Sequence, residues 1–209
     1  MLTAVDATIQ AIVFVVQVTP VGTNLGLANL MWAMVSGSFL ASRGAIFPAL
    51  QVGGLSPGEV RRSWSAMRNG SWRIDELLEA WRVYVASENE WREHRYEGRR
   101  VVSIDLTGFW RPRLKGWPGK HYHSLVGKAV PAVVFGVIII SGQVHRKRIP
   151  LLRKIVRCQP EQSEADYRAT LLKQVARLDL PGDVKVLDAG FKINDLVNAG
   201  LKGFVLRMQ

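Results

Sequence analysis

The stretch VVSIDLTGFW, Val101 to Trp110, places a single carboxylate, Asp105, in a run of Val, Ile and Leu that is typical of a β-strand. An unpaired carboxylate in an apolar setting is costly, or its pKa shifts until the group is neutral. Asp105 therefore needs a hydrogen-bond network, a cation or a metal ion, which other parts of the chain must supply.

A second apolar strand also ends in a carboxylate. In DVKVLDAGF, Asp183 to Phe191, Asp188 stands just before Ala189 and Gly190, where the chain must turn. If the two strands lie side by side, Asp105 and Asp188 come within a few ångströms, and like charges raise each other's pKa unless a divalent cation bridges them. Carboxylate oxygens favour Mg²⁺, with Mn²⁺ as the alternative. Asp105 and Asp188 are the predicted metal ligands.

The net charge of +11 is concentrated in one block of the chain. From Leu106 to Pro160 there is no Asp or Glu, while eleven Lys and Arg residues occur there. Such a surface favours a polyanion, because each neutralised phosphate releases condensed counterions. Anionic lipid and an ordinary solvated basic face are the alternatives. The predicted DNA-binding residues are Arg111, Arg113, Lys115, Lys120, Arg146, Lys147 and Arg148.

Composition indicates a packed protein in a reducing compartment. The chain has 209 residues, of which 48% are hydrophobic, and Cys158 is its one cysteine, so no intramolecular disulfide can form. No charged residue occurs from Ala7 to Ser42, but Pro20 and Gly22 interrupt this segment, which favours buried helices over a membrane span. A cytoplasmic, nucleoid-associated protein without a membrane partner is expected.

The first 98 residues are predicted to be helical. Helices are expected near Asp6 to Val18 and Leu25 to Ala41, and Ser56, Pro57 and Glu59 form a capping box that starts a third helix. That helix ends at Asn69 and Gly70, and a fourth follows, so residues 55–88 form either a helix-turn-helix or a helical support. The predicted apolar face of the second helix comprises Leu27, Leu30, Met31, Met34 and Val35, and that of the fourth comprises Ile74, Leu77, Leu78, Trp81 and Val85.

Strands dominate after a charged link, Asn89 to Arg100, that is expected to be helical. The predicted order is three strands, a helix at Ser163 to Leu178, a strand ending at Asp188, a short helix and a last strand at Gly203 to Met208. The second and third strands are expected at Lys128 to Ser141 and within QVHRKRIPL, residues 143–151. Two side chains in the preceding loop, His121 and His123, could serve as zinc ligands, contact phosphate or simply pack. Cys158 could be a nucleophile but has no obvious base.

These features together resemble the RNase H-like core of a DDE transposase of the insertion-sequence type. The resemblance rests on a lone Asp on the first strand, two further strands, a helix, and a second Asp in the setting V-L-D-A-G-F, and it covers roughly residues 20–209. It implies an α/β fold, with an RNase H-like mixed sheet over residues 99–209 preceded by an all-helical region, 1–98. It also implies Mg²⁺-dependent DNA cleavage and strand transfer on double-stranded transposon ends, by a protein that is a homodimer when active.

Carried over to this chain, Asp105 matches the first catalytic acid of the family and Asp188 the second. The third, a glutamate on a later helix, has no match, because Asp195 is the one acid after Asp188. The resemblance therefore predicts either a truncated product or a partner that supplies the third carboxylate. The alternative is a non-catalytic DNA-binding protein derived from the same scaffold.

Overall fold

The chain divides into two compact units, Met1–Trp81 and Arg82–Gln209. The computed structural model describes residues 4–20, 22–42, 44–111, 113, 115–178 and 182–207. The sequence placed the boundary after residue 98, whereas the division falls within a helix that continues past Trp81. Residues 82–98 thus group with the strands rather than with the N-terminal helices.

The N-terminal unit is helical. Its helices are α1 Ala4–Val18, α2 Thr23–Val35, α3 Ser38–Ala41, α4 Ile46–Val52 and α5 Pro57–Asn69, followed by α6 Ile74–Ser87, which extends into the second unit. The predicted capping box at Ser56 and Glu59 is confirmed, and α5 ends at Asn69 as expected. Helix α2 approaches α5 closely, because a Cβ atom on Gly26 would lie 2.5 Å from the backbone oxygen of Ser63.

This close approach changes which face of α2 is buried. Thr23, Gly26, Leu27 and Ala33 are buried, while Met34 and Val35, predicted to be core residues, are 63% and 55% exposed. Small side chains allow the backbones of α2 and α5 to approach, so this face rather than the bulkier apolar one turns inward. The helix also ends earlier than predicted, since Gly37 adopts a left-handed conformation with φ 78° and separates α2 from α3.

The predicted fourth helix is present as α6, but its apolar stripe is less buried than expected. None of the residues of α6 is fully buried, and Ile74 of the predicted stripe is 41% exposed. Among the described residues, no helix has the length and apolar character needed to cross a membrane.

The second unit contains a mixed sheet with two helices, as the α/β prediction required. The strands are β1 Arg92–Glu93, β2 Arg95–Tyr96, β3 Arg99–Trp110, β4 Lys120–His123, β5 Lys128–Ile140, β6 Gly142–Val144, β7 Lys147–Arg148, β8 Leu151–Arg157, β9 Val184–Leu187 and β10 Phe204–Leu206. The helices are α7 Glu164–Arg177 and α8 Ile193–Asn198.

The large sheet has the strand order β10-β9-β3-β5-β4, with β8 also paired to β5 and β2 to β3. Strand β3 is antiparallel to β5 and parallel to β9, and β10 is parallel to β9.

Buried and exposed side chains alternate along β3, and the buried ones mark the position of the core. Val102, Ile104 and Leu106 are buried together with Tyr167 and Leu171 of α7. Because successive side chains of a strand point to opposite faces, Asp105 faces away from this core. The Asp105 carboxylate therefore does not interrupt the core, because it lies on the opposite face of the sheet.

Three predictions in this unit need correction. The link from Asn89 to Arg100 is not helical but contains β1 and β2, which pair with other strands. The strand that follows β5 in the large sheet is β8, Leu151–Arg157, whereas residues 143–151, where the sequence predicted that strand, mainly supply β6 and β7 of a separate three-stranded sheet, β1-β6-β7. The last strand is shorter than predicted, and Met208 lies outside the described residues.

Gly136 of β5 allows α7 to pack on the sheet, since a Cβ atom there would lie 2.8 Å from Cδ1 of the fully buried Leu171. We expect Gly136→Ala to lower the free energy of unfolding by about 1 to 3 kcal/mol through overpacking, measured by denaturant unfolding. The control is Gly58→Ala in α5, where the nearest atom to a new Cβ is the end of the Arg62 side chain, at 3.6 Å. Equal stability of the Gly136→Ala variant and the parent would contradict the packing described.

Candidate active site

The parallel pairing of β3 with β9 brings Asp105 and Asp188 to neighbouring positions. Ile104 pairs with Leu187, so Asp105, the next residue of β3, lies beside Asp188, the residue that directly follows β9. Adjacent strands lie about 4.8 Å apart, and both aspartates line the same cavity. The structure therefore brings together the two carboxylates that the sequence singled out, although 83 positions separate them (188 − 105).

Backbone amides orient both carboxylates. The Leu106 N–H donates to Asp105 Oδ1 at 2.8 Å, and the Gly190 N–H donates to Asp188 Oδ1 at 2.9 Å. The second contact is a local turn in which the Asp188 side chain accepts from the backbone two residues later. Each carboxylate thus accepts a hydrogen bond from one backbone N–H, which leaves lone pairs on both groups available for another ligand.

The pKa of Asp105 is raised above its ordinary value. The main cause is partial loss of hydration at the wall of a cavity, although the residue as a whole remains exposed, and the negative charge of Asp188 acts in the same direction. The hydrogen bond from Leu106 and the nearby His121 oppose this rise. Repulsion between the two carboxylates, which the sequence predicted, thus contributes to the raised pKa of Asp105.

A cavity of about 620 Å³ surrounds the pair. Besides the two aspartates, its wall includes one further carboxylate, two guanidinium groups and an imidazole: Glu164, Arg168, Arg207 and His121. Arg207 follows β10, and its N–H donates to the carbonyl of Leu187 at 3.1 Å, beside Asp188. The cavity thus combines a negative centre with positive side chains at its edge.

His121 belongs to a hydrogen-bonded series that the sequence did not reveal. Its Nδ1 lies 2.9 Å from Glu164 Oε1, and Arg168 Nη1 donates to the other oxygen of Glu164 at 3.3 Å. The imidazole stacks on Trp110 with 5.9 Å between ring centroids, and a Cβ on Gly108 would approach His121 Cδ2 to 3.0 Å. In the sequence, His121 stood out only as a possible zinc or phosphate ligand, and Glu164 is an acid in the first turn of a capped helix.

The other histidine considered from the sequence has a packing role. His121 and His123 lie on strand β4 rather than in a loop, and the ring of His123 packs edge-on against Trp110 at 4.7 Å. His123 Nδ1 is buried without a hydrogen-bond partner among the described residues. Cys158 is buried in the core, where loss of hydration raises the pKa of its thiol, which argues against a nucleophilic role.

The donor set bears on which metal the cavity could hold. Within the described ranges, no group of three or more His, Cys, Asp or Glu side chains is arranged to hold a metal ion. Asp105 and Asp188 offer hard oxygens at neighbouring positions, which fits a Mg²⁺ or Mn²⁺ ion that keeps several waters. Both oxygens of Glu164 already have cationic or imidazole neighbours. Asp195, the one acid after Asp188 in sequence, lines a different cavity beside α7.

The predicted DNA-binding residues fall into two groups. Arg111, Arg113 and Lys115 are exposed in the connection between β3 and β4, and Lys120 precedes the cavity-lining His121. The second group lies on β7 and the turn before it, in the separate three-stranded sheet: Arg146, Lys147 and Arg148. The side chains of both groups make no hydrogen bond or ion pair with the described part of the chain.

Comparisons with known proteins do not identify the chain. No protein-family model matches it, and no match was found among curated proteins. The geometry of the cavity and the distribution of charge are therefore the features that bear on function.

The raised pKa of Asp105 predicts a pH-dependent effect of Asp105→Asn. A carboxyl group whose folded pKa exceeds its unfolded value stabilises the fold below the unfolded pKa, and this contribution is lost as the pH rises through the folded pKa. In a metal chelator, Asp105→Asn should therefore be more stable than the parent at pH 7. The difference should shrink as the pH falls towards about 4, the unfolded value. Denaturant unfolding at several pH values measures it.

Asp166→Asn is the control, because its effect on stability at neutral pH should have the opposite sign. Hydrogen bonds with Ser163 lower the pKa of Asp166, so this variant should lose stability at neutral pH. An Asp105→Asn variant that is less stable than the parent at pH 7 would contradict the electrostatic account.

Proposed function

We propose that this chain is a DDE transposase-like protein that cleaves DNA phosphodiester bonds and transfers strands with the help of Mg²⁺ or Mn²⁺. The observation that carries the proposal is the placement of Asp105 on β3 and of Asp188 directly after the neighbouring parallel strand β9, in the wall of one cavity. Carboxylates from two adjacent strands can hold a divalent ion that either alone would bind weakly.

The topology of the second unit supports an RNase H-like core. Three strands in antiparallel succession, β3, β5 and β8, are followed by α7, then by β9, which is parallel to β3, and by β10, which is parallel to β9. The spatial order β8-β5-β3-β9-β10 and the position of the two helices agree with such a core. A first acid on the central strand and a second at the end of its parallel neighbour agree with the resemblance as well.

The residues of the cavity can be given roles in such a reaction. Asp105 and Asp188 would hold the metal, which when bound polarises a phosphodiester and activates the attacking oxygen. Arg168 and Arg207 would attract the phosphate, because their positive charges line the same cavity. The basic connection from Arg111 to Lys120 would contact the DNA backbone on either side of the reacting phosphate.

A second candidate function, non-catalytic DNA binding, is favoured by one specific observation. The third carboxylate of the cavity, Glu164, is engaged by His121 and Arg168, and the described residues offer the metal two free carboxylates rather than three. A chain that retains the basic surfaces but binds metal weakly would behave as a DNA-binding protein. A homodimer, or another partner, would then have to supply the missing ligand for cleavage.

Nicking of supercoiled DNA in the presence of Mg²⁺ or Mn²⁺ tests the proposal. We expect the parent to nick DNA and Asp105→Asn and Asp188→Asn to lose at least about 100-fold in rate, since each removes a ligand of the catalytic metal. Both variants should still fold and bind DNA. Asp195→Asn, which changes an acid outside this cavity, should keep the parent rate.

Two outcomes would count against cleavage by this site. Nicking that survives both aspartate substitutions would mean that another site or a contaminant is responsible. A parent that binds DNA but shows no metal-dependent nicking would favour the non-catalytic alternative.

A further inference from the structure

The small sheet β1-β6-β7 carries a row of polar side chains on one face. Arg92 of β1 pairs with Gln143 of β6, which in turn pairs with Arg148 of β7. Residues at paired positions point to the same side of a sheet, so these three side chains form one cross-strand row. All three are exposed, and none makes a hydrogen bond or ion pair within the part of the chain that the structure describes.

The opposite face of this sheet is anchored. A Cβ atom on Gly142 would lie 2.2 Å from the indole of Trp91, so that ring lies directly against the β6 backbone. Trp91 Nε1 also donates to the carbonyl of Ile149 at 2.9 Å, and the His94 N–H donates to Ser141 at 2.9 Å. The polar row therefore lies on a hydrogen-bonded sheet that Trp91 packs against, and not on a loop.

The two residues of the turn between β6 and β7 adopt a left-handed backbone conformation that their residue types disfavour. Val144 pairs with Lys147, which leaves a two-residue turn in which His145 and Arg146 have φ values of 46° and 67°. Turns with two left-handed residues strongly favour Asn-Gly or a similar pair. The comparable turn between β2 and β3 follows this preference in part, with Gly98 after Glu97. At the β6–β7 turn two large polar side chains take the place of the favoured residues.

The charges near the turn are mainly positive. Arg92, Arg146, Lys147 and Arg148 are exposed, and the acids beside Arg92 in the sequence are Glu90 and Glu93. Glu93 is engaged by Arg95 and Arg100, and Glu90 Oε2 lies 3.8 Å from His145 Nε2. The surface therefore keeps a positive excess at the tip and along the row.

We propose that the sheet β1-β6-β7 binds duplex DNA, with the His145–Arg146 turn in the major groove, as a contact separate from the metal cavity. The inference rests on the proposed function, because it takes DNA as the partner. A two-stranded β-ribbon fits the major groove, where Arg and Gln side chains pair with guanine and adenine edges. Arg92 and Arg148 flank Gln143 in the row and are placed to contact phosphates beside the groove.

Replacement of both residues of the β6–β7 turn tests the contact of this turn with DNA and should not destabilise the fold. His145→Asn combined with Arg146→Gly supplies the residues that this turn prefers, so the melting temperature should be equal to or above that of the parent. Binding to a short duplex, measured by fluorescence anisotropy in a chelator, should nevertheless weaken by about fivefold or more. Lys173→Gln, on the exposed side of α7, is the control for loss of one positive charge and should bind like the parent.

The polar row is tested by Arg92→Gln combined with Arg148→Gln. Loss of two phosphate contacts should lower the slope of log affinity against log salt by about 1.8, since each contact contributes about 0.9. The matched control, Lys173→Gln with Arg177→Gln, should keep the parent slope. A duplex methylated at guanine N7, in the major groove, should bind the parent more weakly, whereas the methylation should have little effect on binding by the variant with the replaced turn.

The outcomes separate this inference from the proposed function. If Arg111→Gln with Arg113→Gln weakens binding while the turn and row variants bind like the parent, the protein binds DNA but not through this sheet, and the inference is wrong. If the parent does not bind duplex DNA at all, both the inference and the proposed function are wrong. Weakening by the turn and row variants, with unchanged controls, supports the inference.

Discussion

The parallel register of β3 against β9 is the constraint on which the candidate site depends. Pairing of Ile104 with Leu187 buries both apolar side chains in the core and, in the same step, makes Asp105 and Asp188 neighbours on the opposite face. A shift of one residue would turn apolar side chains outward and the carboxylate into the core, which the fold cannot accommodate. The burial of one face therefore fixes the geometry of the charged pair on the other.

The surroundings of the pair moderate the repulsion that this register creates. Positive side chains, Arg168 and Arg207, line the cavity, and His121 opposes the rise in the pKa of Asp105. Helix α7 provides Glu164 and Arg168, and its position depends on the contact of Leu171 with Gly136. Packing on the buried face thus decides which groups reach the cavity.

The sequence predicted local features better than relationships between distant residues. The helix starts at Ser56 and Ser163 follow from short-range capping chemistry, and the two aspartates stand out because each follows an apolar strand. The series from His121 to Arg168 joins residues more than forty positions apart, which no local pattern specifies. The three-stranded sheet was missed because His145 and Arg146 are not typical turn residues, and β8 was missed because its basic side chains obscure the alternation expected of a strand.

A double-mutant cycle of Mn²⁺ affinity, measured by calorimetry, tests the claim that Asp105 and Asp188 act as one metal site. If one ion bridges the pair, Asp105→Asn and Asp188→Asn should each abolish most of the affinity, and the double variant should lose little more than either single variant. The predicted stoichiometry is one ion per chain. Losses that add independently, or affinity that survives both substitutions, would contradict the claim.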